Sequence, residues 1–97
     1  MLEKMLAPAP KRVVHKFPAF GTIELGMPAK FLYAGLQKNR PMMWVQHCPD
    51  SSVKVNAEIR VYPTGEEIDE GFEFLGTYLE DDGAYVWHIY AKAEKSS

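Results

Sequence analysis

The chain has 97 residues, 46% hydrophobic and 25% charged, with a formal net charge of −2 and a pI near 5.9. That length fits one domain with a core of its own, and the slightly acidic balance argues against non-specific binding to nucleic acid or membrane, which needs a basic footprint. Cys48 is the only cysteine, so an intrachain disulfide and a cysteine-based metal cluster are both excluded.

Met1 to Pro10 reads as an N-terminal extension. Leu2, Met5 and Leu6 suit one helical turn, which Pro8 and Pro10 end. The segment does not resemble a signal peptide, because Glu3, Lys4 and the two prolines break its apolar run. No stretch reaches the roughly 18 apolar residues of a membrane helix. Cytoplasmic residence, with no membrane contact, is therefore the expectation.

Residues 11–93 read as a single β domain and residues 94–97 as a polar tail. Lys11 to Phe17 is the first strand, with Val13, His15 and Phe17 on one face, and Pro18 ends it. Thr22 to Leu25 is a short second strand between turn glycines. Lys30 to Gln37 is apolar on both faces, which suggests a central strand, and Gly35 within it suggests a bulge or a close backbone approach. Lys38 to Pro41 is a turn, with Asn39 suited to a positive φ. Met42 to Cys48 returns as the fourth strand, with Trp44 at its centre and Cys48 a buried, unreactive thiol.

Val53 to Tyr62 is the strand around which the chain is organised. Val53, Val55, Ala57, Ile59 and Val61 fall on a dry face; Lys54, Asn56, Glu58, Arg60 and Tyr62 fall on a wet one. Pro63-Thr64-Gly65 stops it, and an acidic loop with Glu66, Glu67, Asp69 and Glu70 follows. Phe72 to Leu79 is the sixth strand, with Phe72, Phe74, Gly76 and Tyr78 alternating as one set. Asp81-Asp82-Gly83 is the clearest hairpin turn. Ala84 to Ala93 is the seventh strand, with Tyr85, Trp87, Ile89 and Ala91 opposite Val86, His88 and Tyr90. About six or seven short strands separated by turns predict an all-β fold, a small antiparallel sandwich or barrel.

Several of these residues together resemble a known family. They are His15-Lys16-Phe17, Thr22-Ile23-Glu24-Leu25, Met27-Pro28-Ala29-Lys30, Pro41 with Trp44, Ile59-Arg60-Val61-Tyr62 with Thr64-Gly65, Phe74-Leu75-Gly76-Thr77, Gly83, and Val86-Trp87-His88-Ile89-Tyr90. The pattern is similar to that of small uncharacterised proteins common in tailed-phage and prophage genomes. The resemblance spans Arg12 to Tyr90 and implies a phage origin, a compact β domain and no established catalytic site. The acidic loop after Thr64-Gly65 and the longer N-terminus depart from the family pattern.

No motif in the chain specifies catalysis. Thr64-Gly65 lacks the Lys-Ser/Thr pair and the helix of a phosphate loop. The acidic loop lacks the alternating spacing of a calcium loop and reads as solvated, or as a contact for a basic partner. His15, His47 and His88 have no metal-ligand spacing, and His88 has no recognisable triad context, so it reads as a structural histidine. An enzyme would need two or more of these histidines and the carboxylates to meet in one pocket. The candidate binding surface comprises Arg12, Lys16, Arg40, Lys54, Arg60 and Tyr62, with Glu66, Glu67, Trp87 and Tyr90 as further contacts. The cations would converge if the first and fifth strands were neighbours, offering a site for an anionic ligand. Trp44 and Trp87 are expected in the core or under its rim.

The expected function is a non-enzymatic phage accessory protein, without cofactor or metal, that binds a host protein in the host cytoplasm, for takeover or anti-defence. The alternatives are a sponge for an anionic nucleotide signal and a virion structural or assembly protein. Open sheet edges predict a homo-oligomer.

Overall fold

In the computed structural model, which describes residues 11–94, the chain forms seven antiparallel strands in two sheets. They are β1 (Val13–Pro18), β2 (Gly21–Gly26), β3 (Lys30–Gln37), β4 (Arg40–His47), β5 (Lys54–Pro63), β6 (Glu73–Glu80) and β7 (Tyr85–Glu94). One sheet has the order β1-β4-β3 and the other the order β2-β5-β7-β6. Neither closes on itself, so the arrangement is a sandwich rather than a barrel. Expectations for residues 1–10 and 95–97 lie outside the described residues; Glu94 belongs to β7 rather than to a tail.

The core lies between the sheets. Met43 and Val45 of β4 and Ala34 of β3 meet Ile23 of β2, Ala57 and Ile59 of β5, and Ile89 of β7. Each is an alternate residue of its strand, as a face buried against a second sheet requires. The expected dry face of β5 is therefore real from Val55 onward. Val53 stays 59% exposed, because it precedes the strand.

Four expectations about the strands need correction. First, β3 lies at the edge of its sheet, and β4 is the centre. Apolarity on both faces of β3 arises because one face meets the core while Tyr33, on the other, rests against Trp44. Second, the bulge in β3 falls between Phe31 and Tyr33, not at Gly35. Gly35 instead permits a close approach: a Cβ there would sit 3.1 Å from the Tyr33 ring. Third, the β3–β4 hairpin turns on Lys38 and Asn39 alone, both at positive φ, while Arg40 and Pro41 already belong to β4. Fourth, a bulge between Phe74 and Gly76 reverses the alternation of β6. Phe74 therefore packs on Tyr90 at the outer face, while Tyr78 remains in the core.

The bulged strands β3 and β6 are also the two at which the sheets come together. There the Phe31 ring occupies the space a side chain would take at position 76, where an added Cβ would lie 2.6 Å from the ring. At the other end, Gly26 joins the sheets. Its carbonyl accepts from the Cys48 N–H at 2.9 Å, and a Cβ there would overlap that residue's carbonyl oxygen at 1.7 Å. Cys48 is buried, as expected.

Trp44 is not a core residue. It points away from Met43 and Val45, onto the outer face of the three-stranded sheet, and is half-buried. Adjacent residues of β4 should thus respond differently to truncation. Met43→Ala should cost about 2–5 kcal/mol, as buried Met-to-Ala changes do. Trp44→Ala should cost about 1 kcal/mol, the centre of the general distribution. Gly76→Ala should cost about 1–3 kcal/mol by overpacking against Phe31. Urea unfolding of the three variants measures all of this; equal losses at positions 43 and 44 would contradict the assigned faces.

Candidate functional site: two outer faces of opposite character

The sandwich presents two outer faces, and they divide the charges between them. The segments 11–18 and 30–47, which supply the three-stranded sheet, carry Lys11, Arg12, Lys16, Lys30, Lys38 and Arg40 and no aspartate or glutamate. The acidic residues of the described chain all lie on the strands of the four-stranded sheet or in the loops outside those segments. A net charge of −2 averages over this separation.

Antiparallel partners share a face, so the register identifies the outer residues of the three-stranded sheet. Lys16 and Tyr33 both pair with Trp44; Lys30 pairs with Gln46, and Gln37 with Arg40. Tyr33 and Trp44 pack with ring centroids 5.8 Å apart. The edge of the Tyr33 ring approaches Gly35, and the residue is 64% exposed. At the hairpin end, Lys16 Nζ donates to Gln37 Oε1, bridging over the central strand. Lys16, Gln37, Lys38, Arg40 and Met42 line a recess of about 390 Å³ there. Three cations and an amide donor around one recess suit an anion.

On the four-stranded face the chain engages its own arginine, although Phe74 at the edge stays 55% exposed. The loop between β5 and β6 folds back so that Asp69 accepts hydrogen bonds from the Tyr62 hydroxyl at 2.6 Å and from Arg60. Arg60 also pairs with Glu58 at 2.7 Å, and its guanidinium stacks over the Phe72 ring, 4.5 Å from the centroid. Tyr62 meets Tyr90 edge to face, and Tyr90 meets Phe74 likewise. Tyr62 was expected on a wet face; under this loop it is only 6% exposed. The Tyr62 hydroxyl, followed by Arg60, holds the Asp69 carboxyl below its ordinary range despite some opposing desolvation. His88 is held between Thr64 and Thr77 at 2.8 and 2.9 Å, which fits its structural reading.

The expected surface therefore does not exist as one patch. β1 and β5 lie in different sheets. Arg12 and Lys16 flank or belong to β1, and Arg40 begins β4. Lys54, Arg60, Tyr62 and Tyr90 belong to the four-stranded sheet, where Arg60 and Tyr62 are engaged by Asp69. Glu66 and Glu67 are exposed on the β5–β6 loop. Trp87 points inward at the sandwich end, packs against the core and donates to Glu80 Oε1 at 2.9 Å. Sequence reasoning overlooked Lys30, Lys38 and Tyr33. The signal was present: no acidic residue occurs from Leu25 to Pro49.

Two histidines do meet. Gly26 N–H donates to His47 Nδ1 at 3.2 Å, and that nitrogen must therefore be bare. The proton sits on His47 Nε2, which donates to His15 Nδ1 at 2.8 Å. His88 is on the other sheet, and among the described residues no three His, Cys, Asp or Glu side chains converge to hold a metal ion.

The amino-acid pattern matches a family defined as a domain of unknown function (DUF7352) over residues 10–97. The chain belongs to that family. No curated protein and no solved structure matches it. The matched region contains both outer faces and the His15–His47 pair.

Burial lowers the pKa of His47, with added repulsion from His15 and Lys54. Its proton affinity is thus higher in the unfolded chain, where the value is near the model-peptide 6.5. Stability from this group is complete above that pH and is lost as pH falls through and below it. Melting temperature should drop between about pH 7.5 and 5.5, and His47→Gln should flatten that slope. An identical slope in the variant would contradict the assigned protonation state.

Proposed function

We propose that this protein is a non-enzymatic binding module whose working surface is the outer face of the three-stranded sheet. The observation that carries this reading is the separation of charge. Among the described residues, one face gathers lysines, an arginine and two aromatic rings without a carboxylate, whereas Arg60 of the opposite face is already paired within the chain. Cations with no salt bridge among the described residues, beside an exposed tyrosine and a half-buried tryptophan, are suited to an anionic partner surface, and they would accelerate the encounter with it.

The family resemblance supports placing this module in a tailed phage, acting in the host cytoplasm as an accessory protein that engages a host macromolecule. A second reading is favoured by the recess around Lys16, Lys38 and Arg40: sequestration of a small anionic nucleotide, with phosphate among the cations and the base toward Met42 and Trp44. Self-association is part of the proposal. β1 and β2 lie at the open edges of their sheets, and Val13 and Val14 of β1 are exposed. Such edges are normally paired or protected.

Affinity capture from host lysate should be compared between the wild type and the Lys16→Glu/Lys30→Glu/Arg40→Glu variant, with small molecules released from the same beads. A host partner or nucleotide enriched by the wild type and lost by the variant is expected; enrichment unaffected by the three reversals would contradict the assigned face. Light scattering at tens of micromolar should give a dimer or larger species, and a monomer mass would contradict assembly through the edges.

A further inference from the structure

We propose that the outer face of the three-stranded sheet binds single-stranded nucleic acid. This rests on the reading of that face as the working surface and names its occupant.

The face combines the two elements that single-strand recognition uses: aromatic platforms for the bases and a cationic track for the backbone. The edge of the Tyr33 ring approaches Gly35, where an added Cβ would lie 3.1 Å from it, and the residue remains 64% exposed. Trp44 lies beside it on the central strand, 5.8 Å between centroids. Lys16 flanks Trp44 from β1, and Tyr33 flanks it from β3. Lys30 and Gln46 lie toward one end of the sheet, and Lys38 and Arg40 toward the other, with the anion recess between Lys16 and Arg40. From Arg40 to Gln46 the strand runs about 20 Å, which is room for a few splayed nucleotides.

Charge complementarity selects an anionic occupant, and the rings select among anions. No carboxylate lies on the strands of this face to repel a phosphate chain. A duplex would satisfy the cations but not the rings, since its bases are stacked on one another. An acidic protein segment would likewise leave the rings without a stacking partner. The overall charge of −2 does not oppose the proposal, because the acidic groups among the described residues lie elsewhere and screening at physiological salt acts over about 8 Å.

The test uses the full chain and dye-labelled oligothymidylate of about 12 nucleotides, with a duplex of equal length, a free nucleotide and polyglutamate as comparisons. Trp87→Phe leaves Trp44 as the sole tryptophan. In that background the oligonucleotide should quench Trp44 fluorescence. Anisotropy should show single-strand affinity at least about tenfold above duplex, with Tyr33→Ala losing about tenfold. The log–log salt slope should be about −3 if Lys16, Lys30, Lys38 and Arg40 each meet a phosphate. Lys38→Asn, which keeps a residue tolerant of the positive φ in the turn, should reduce that slope by about 0.7. Absence of binding at low salt, equal affinity for duplex, or unchanged affinity in Tyr33→Ala would overturn the proposal. So would binding of the free nucleotide as tight as that of the oligonucleotide. Binding of polyglutamate without the oligonucleotide would overturn this inference while leaving the three-stranded face as the working surface; oligonucleotide binding that survives Lys16→Glu/Lys30→Glu/Arg40→Glu would overturn both.

Discussion

The bond from Tyr62 and Arg60 to Asp69 decides how this small sandwich meets its surroundings. A four-stranded sheet with tyrosines, a phenylalanine and an arginine on its outer face would otherwise be the obvious interaction surface. The β5–β6 loop returns over it and supplies a second carboxylate, Asp69, beside Glu58. Phe72, the residue before β6, adds to the contact by accepting the Arg60 guanidinium on its ring. The acidity of the loop thus has a structural use at one position, Asp69. Glu66, Glu67 and Glu70 stay exposed around it.

With that face satisfied internally, the cations of the other sheet acquire their significance. They are held on a rigid support. Met43 and Val45 anchor the centre of the sheet in the core, and Gly26 ties its far end to β2 through the Cys48 backbone and His47. The same alternation that buries Met43 turns Trp44 to the outer face. Core and candidate surface are therefore two consequences of one strand, and a shift of one residue in its pairing would exchange them.

Much of the fold was legible because two-residue periodicity is a local property. All seven strands, the hairpin near Asp82 and the buried Cys48 follow from alternation and turn chemistry. What failed were features set by tertiary partners. Nothing local distinguishes the edge strand β3 from a central one, because Tyr33 and Leu32 look as apolar as core residues. The bulges in β3 and β6 arise where two sheets must converge, with the Phe31 ring over Gly76. Alternation places Tyr62 in water because it does not report that the loop just after β5 folds back over that face. The candidate site was missed for another reason. Net charge conceals a basic stretch followed by an acidic one, and the run from Leu25 to Pro49 without a carboxylate was the informative quantity.

The two outer faces differ: one has its arginine engaged by its own loop, and the other is open to an anion. Amide NMR shifts mapped residue by residue during titration with inorganic polyphosphate test this difference most directly. Perturbations should be confined to β1, the β3–β4 hairpin and Trp44, with Arg60, Lys92 and residues 64–72 unmoved. Perturbations centred on Arg60 and the β5–β6 loop, with the three-stranded sheet silent, would contradict it.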